Sequence, residues 1–178
     1  MPDPLKRVAV IGAGPAGLSA ALWLKQLGLA PVLFEREAQA GGMLRFNFLE
    51  NEWVLGLQGL TGVAMSERFV AHVVHHEVPI HCGVAITRLV PTPSGWRLDF
   101  AGNSAPFAAH AVVVATGLRY RGSEALAGVE GLALLSADQV AYGPFAFVDL
   151  TRWRGAAVLI VGCGDNAFEN ALRLTALD

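Results

Sequence analysis

Charge is scarce in this chain of 178 residues: only 16% of positions are Asp, Glu, Lys or Arg, against 53% hydrophobic. Thirteen Lys and Arg set against fifteen Asp and Glu leave a formal charge of −2. That balance provides no basic footprint for nucleic acid or for an anionic membrane surface. Cysteine is almost absent. Two residues, Cys82 and Cys163, exclude a disulfide scaffold and point to a reducing, cytoplasmic compartment. No uninterrupted apolar span exists either, because the longest uncharged runs, residues 8–24 and 100–118, contain Gly, Pro, Asn or His. Lys6-Arg7 before an apolar run superficially matches a signal peptide, but Gly12 interrupts it. What is present is enough apolar material for a core in a chain of about one domain's length. With so few charges to cover the surface, apolar area is left for a cofactor, a partner or further protein.

Organisation comes from periodicity, since no repeat or low-complexity segment stands out. Residues 7–11 (Arg-Val-Ala-Val-Ile) form a buried-type strand, and residues 12–17 a glycine turn. Residues 18–28 carry Leu18, Ala21, Leu22 and Leu24 at helical spacing and stop at Gly28, a natural residue just past a helix end. A second strand over 31–35 completes a parallel βαβ unit. Residues 61–77 read as a helix with His72, His75 and His76 on its solvated side, followed by a strand at 79–82. Three short segments at 85–90, 96–100 and 105–110, separated by turn residues, predict an antiparallel meander. Residues 111–115 (Ala-Val-Val-Val-Ala) are another buried strand. After a weakly patterned stretch over 118–155, residues 156–161 and 165–174 read as a second strand and helix about a second glycine turn.

The first turn, Gly12-Ala13-Gly14-Pro15-Ala16-Gly17, fits the G-x-G-x-x-G pattern between a strand and a helix. Gly12 permits the turn, Gly14 admits a pyrophosphate to the backbone, and Gly17 lets helix and strand pack closely. Pro15 suits the first helical turn, where its missing N–H costs nothing. The free amides and the helix dipole then face the phosphates. Glu35 lies eighteen residues past Gly17 at the end of the second strand. A carboxylate there accepts hydrogen bonds from ribose hydroxyls and repels a 2′-phosphate, which predicts FAD or NAD and excludes NADP at this turn. A glycine turn that merely links strand to helix is the competing reading, and the matched context disfavours it.

Four stretches in this order — residues 12–17 with Glu35, Gly41-Gly42-Met43-Leu44, Ala115-Thr116-Gly117, and Gly162-Cys163-Gly164-Asp165-Asn166-Ala167 — resemble the flavoproteins with two dinucleotide-binding domains, thioredoxin reductases above all. The resemblance implies an α/β fold: a Rossmann-like three-layer FAD-binding domain with an antiparallel β-meander over residues 1–118, then the beginning of a second, NAD(P)H-binding domain over 119–178. It implies FAD contacts at Gly12, Gly14, Pro15, Ala16, Gly17, Glu35 and Arg36. Gly41, Gly42, Met43 and Leu44 would run beside the ribityl chain and ring, with Asn51 near the flavin and the Val84 backbone at the adenine. Ala115, Thr116 and Gly117 would close the FAD half. Gly162, Gly164, Asp165, Asn166 and Ala167 would receive the pyrophosphate of NADPH or NADH.

The sequence departs from that family in three ways. No Cys-x-x-Cys precedes the second turn, where residues 141–147 read Ala-Tyr-Gly-Pro-Phe-Ala-Phe, so a dithiol relay has neither attacking nor resolving thiol there. The positions that choose between NADPH and NADH, and the family's returning C-terminal segment with its Gly-Asp pair, would lie past Asp178. A chain of these residues alone is therefore expected to bind FAD weakly and to leave residues 158–161 on an open sheet edge. Cys163 and Cys82 read as small packing residues without a redox task. Trp53 is either a flank for the flavin or an ordinary core aromatic. His72 and His76 are four apart and share a helix face, but no third metal ligand is evident. The expected function is an FAD-dependent NAD(P)H oxidoreductase that passes electrons to an external acceptor, ferredoxin, flavodoxin or a redoxin, and that allows a homodimer. The alternative is a module that binds a dinucleotide without turnover.

Overall fold

The computed structural model describes residues 6–102, 104–143 and 149–177. Asn103 of the predicted turn, residues 144–147 of the stretch without a dithiol, and Asp178 lie outside the described residues. The chain divides into two compact units, Met1–Arg119 and Tyr120–Asp178.

The first unit is built on a four-stranded parallel sheet of order β5-β2-β1-β9, with β1 Arg7–Ile11, β2 Ala30–Phe34, β5 Ile80–His81 and β9 Ala111–Val114. β1 is paired on both edges, Val8 to Pro31 and to Ala111, and its apolar run serves both sheet faces. Val10 and Leu33 point to one face and pack with Leu18 and Ala21 of helix α1 (Pro15–Gln26), Val73 of helix α2 (Gly62–His75), and Val78 just past α2. Ala9 and Phe34 point to the other and pack with Leu98 and Ala109. Those last residues belong to an antiparallel sheet of β6 (Ile86–Thr92), β7 (Gly95–Phe100) and β8 (Phe107–Ala109). The result is meander, parallel sheet and helices in three layers, as the sequence predicts. Each fully buried Leu contributes about 1.5–3 kcal/mol to that core.

Helix ends follow local chemistry. α1 begins at Pro15, three residues earlier than the apolar spacing indicates, because proline supplies a helical φ at the first position. It ends where Gly28 adopts φ +74° and its N–H donates to the Lys25 carbonyl, while the Leu29 N–H donates to that of Leu24. α2 is capped by Thr61, whose hydroxyl accepts from the Ala64 N–H at 3.2 Å. It ends in the same double hydrogen bond as α1, but the residue in the left-handed conformation is Glu77, φ 55°. Two short strands unforeseen from the sequence, β3 (Glu50–Asn51) and β4 (Leu60–Thr61), pair antiparallel before α2. Trp53, on the loop joining them, is 93% exposed and is no core aromatic.

The second unit holds short 3-10 turns at Ser123–Leu126, Leu132–Leu134 and Thr151–Trp153, and the helix α3, Asp165–Thr175. The strand expected over residues 156–161 does not form: these residues pair with no strand among those described. A strand is held by the neighbour that takes its hydrogen bonds, and without one the apolar run has nothing to join. Leu159 is accordingly 86% exposed. Cys163 is exposed too, so its reading as a buried packing residue is corrected, whereas Cys82 is half-buried.

Candidate functional site

The carboxyl ends of β1, β2 and β9 and the start of α1 enclose the first glycine turn, and each glycine there has a separate cause. Gly12 has φ +101°, and a side chain on it would run into the Ala115 carbonyl at the end of β9. A side chain on Gly17 would run into the carbonyl of Gly12 and lie 3.4 Å from Val10 Cγ1. Both are glycines because the fold leaves no room for anything else. Gly14 is different. Its backbone is extended, φ −78° and ψ −178°, which any residue adopts. A Cβ there would meet only the Cα of Gly42, at an ordinary 3.7 Å. The fold has no need of glycine at Gly14.

Glu35 is the electrostatic centre of the site. It is 7% exposed, just past β2. One carboxylate oxygen accepts the Ala13 N–H at 2.8 Å and the other the Glu37 N–H at 3.0 Å. The side chain expected only to meet ribose hydroxyls therefore also ties the glycine turn to the end of β2. Each oxygen keeps a second lone pair for a hydroxyl donor. Ala13 and Glu37 are the partners missed from sequence, because a backbone amide leaves no trace in residue identity. Around them the backbone is clasped. Glu35 N–H donates to the His81 carbonyl, Val84 N–H to that of Glu35, and Gly83 N–H to that of Glu37, each at 2.8 Å. This fixes Val84, the expected adenine neighbour, beside the Glu35 backbone. Arg36 points outward and pairs with Glu37 at 3.1 Å.

The Gly-Gly segment joins the same cluster. Gly41 N–H donates to the Ala13 carbonyl at 2.8 Å, and a Cβ on Gly42 would stand 2.8 Å from Gly14 Cα. Met43 and Leu44 follow in a single 3-10 turn, Gly42–Phe46, held against Gly62 of α2. Ala115 N–H donates to the Ile11 carbonyl, which brings the Ala-Thr-Gly corner against Gly12. Pro15 and Ala16 are exposed in the first turn of α1, where a helix leaves its N–H groups without internal partners. Asn51 stands apart in role: its side-chain oxygen accepts the N–H groups of Trp53 and Val54 at 2.8 Å and shapes their loop. Cys82 flanks the site, and burial pushes its thiol pKa up.

In the second unit, Gly164 caps α3, with Asp165 in the first turn, followed by Asn166 and Ala167. Gly162 has φ +133°. Side chains on Gly162 and Gly164 would meet nothing within 4 Å, so the close packing that distinguishes the first turn is not seen at the second.

The match to a family model, described as pyridine nucleotide-disulphide oxidoreductase, runs over residues 6–178. The chain belongs to the pyridine nucleotide-disulphide oxidoreductase family. A glucosaminate ammonia-lyase of Pseudomonas fluorescens is 32% identical over 176 residues, covering 94% of this chain and 49% of that protein. A thioredoxin reductase of Bacillus subtilis is 29% identical over 168 residues, with 94% and 50% covered. Among solved structures, thioredoxin reductase from Streptococcus pyogenes superposes with a TM-score of 0.61 at 26% identity, covering 97% of this chain and 53% of that one. The chain spans about half the length of the curated relatives it matches. Among the described residues, no helix is long and apolar enough to cross a membrane.

Proposed function

We propose that residues 1–118 bind FAD as the flavin domain of an NAD(P)H oxidoreductase of thioredoxin-reductase type, and that 119–178 begin its NAD(P)H domain. Gly14 carries the reading. Gly12 and Gly17 are explained by the fold, whereas Gly14 is explained only by a ligand that needs the backbone bare. The residues fit that cofactor: Gly14 and Ala16 would present amides to the pyrophosphate, and Glu35 would accept from the ribose and repel a 2′-phosphate. The segment Gly42–Phe46 would line the path of the ribityl chain. Bound FAD supplies acceptance of a hydride and its onward delivery as electrons. Around it the chain binds and orients. The two relatives carry different activities by name, and the acceptor follows from this chain's own residues. Without a Cys-x-x-Cys before the second turn, electrons leave for an external partner, ferredoxin, flavodoxin or a redoxin, in the cytoplasm.

The test is Gly14→Ala. Its Cβ strains nothing in the protein but occupies the phosphate approach. FAD affinity, from quenching of flavin fluorescence by the full chain, should fall about tenfold or more. The melting temperature without nucleotide should stay unchanged. Unaltered FAD affinity removes the basis for the reading. NADP that competes with FAD for the first turn of the wild-type protein would remove the role of Glu35. Flavin that binds but is never reduced by NAD(P)H with a dye acceptor would favour the module without turnover.

A further inference from the structure

Three of the five histidines, His72, His75 and His76, are accounted for by neither core nor nucleotide site. The other two have structural work: His110 accepts the Arg7 N–H at Nδ1, 3.0 Å away, and His81 stacks on Phe34 with ring centroids 5.4 Å apart. His72, His75 and His76 are exposed on the last turn of α2 and just past it. His72 and His76 are one turn apart and share a face, with ring centroids separated by 5.2 Å.

That separation has a coordination meaning. A zinc–nitrogen bond of about 2.05 Å plus about 1.1 Å from nitrogen to ring centre puts each centroid about 3.2 Å from a shared ion. Two centroids 5.2 Å apart then subtend about 110° at that ion, the tetrahedral angle. A square-planar ion asks for about 90° and for rings closer together. Two further features favour a cation at this point. The C-terminal end of a helix carries partial negative charge. The turn bearing both rings is also pinned, since the His76 N–H donates to the carbonyls of His72 and Val73, and the Glu77 N–H to that of Val74. His75 is the poorer partner: its ring centroid stands 5.4 Å from that of His76, which opens the angle to about 115°, and neighbouring positions on a helix do not share a face.

We propose that His72 and His76 form a two-histidine zinc site on α2, distinct from the nucleotide site, with water or an external donor completing the tetrahedron. No cluster of three His, Cys, Asp or Glu suited to a metal exists among the described residues, so His72 and His76 are the two ligands that those residues supply.

Isothermal titration of the full chain with zinc chloride tests this, with His72→Gln, His76→Gln and His75→Gln as variants and circular dichroism confirming helix content. Glutamine is a good helix former, and all three positions are exposed. One site per chain is expected, weakened at least about tenfold by either of the first two changes and little by the third. Two results would overturn the assignment. One is zinc binding that survives both His72→Gln and His76→Gln, as it would if the thiols held the ion. The other is equal loss in His75→Gln, which would place the ion elsewhere on the turn.

Discussion

Replacing Glu35 by Gln separates the structural role of this side chain from its ligand role. The substitution keeps shape and volume but turns one carboxylate oxygen into an NH2 group. The carboxylate now accepts two backbone N–H groups, from Ala13 at 2.8 Å and Glu37 at 3.0 Å. Glutamine can accept only one of them on its remaining oxygen, and its NH2 must face the other donor. A hydrogen bond to a charged group contributes about 1.5–3 kcal/mol, and a buried donor left unpaired costs about 1–3 kcal/mol. These overlap, since they describe one lost contact from two sides, so the net loss is about 3 kcal/mol. Glu35 is nearly inaccessible, so water cannot step in freely. With a urea slope of about 2 kcal/mol/M, the unfolding midpoint of the nucleotide-free protein should fall by about 1.5 M. The assay is urea denaturation followed by circular dichroism, with no dinucleotide present. A midpoint unchanged within error would mean that the carboxylate does not hold the turn, and the two amide contacts would have to be discarded.

Other positions give shorter tests. Gly17→Ala should destabilise by about 2 kcal/mol, because the clash is with the rigid Gly12 backbone and the helix-propensity gain of about 1 kcal/mol only partly offsets it; thermal melting checks this. Glu77→Gly should stabilise by about 1 kcal/mol, since a left-handed φ of 55° costs glycine nothing, and a higher melting temperature would show it. Cys163 should react with iodoacetamide before Cys82, as mass spectrometry of partly labelled protein would show: Cys163 is exposed, while burial raises the Cys82 pKa and reduces its thiolate at neutral pH. Changing both cysteines to Ser should leave any NAD(P)H-to-dye activity of the flavin-loaded protein intact, and loss of flavin reduction in a folded double variant would refute the external-acceptor route.

The parts of this protein that repeat a local rule are written in its residues. β1 and β9 are legible as apolar runs, α1 as apolar spacing bounded by Pro15 and Gly28, and the meander as short segments between turn residues. In each case the determining interaction lies within a few positions along the chain. The glycine pattern and Glu35 could be read for the same reason, their spacing being set by one βαβ unit. Tertiary structure decided what spacing cannot express. Gly12, Gly14 and Gly17 look alike as letters, and only the positions of the Ala115 and Gly12 carbonyls show which two are forced by packing and which one is left bare. Glu35 has the same identity whether it waits for a ribose or holds the Ala13 amide, and only the fold brings that amide to 2.8 Å. The apolar run at 156–161 is the converse case. Its composition is that of a strand, yet a strand exists only with a neighbour to take its hydrogen bonds, and that neighbour is not encoded in the run itself.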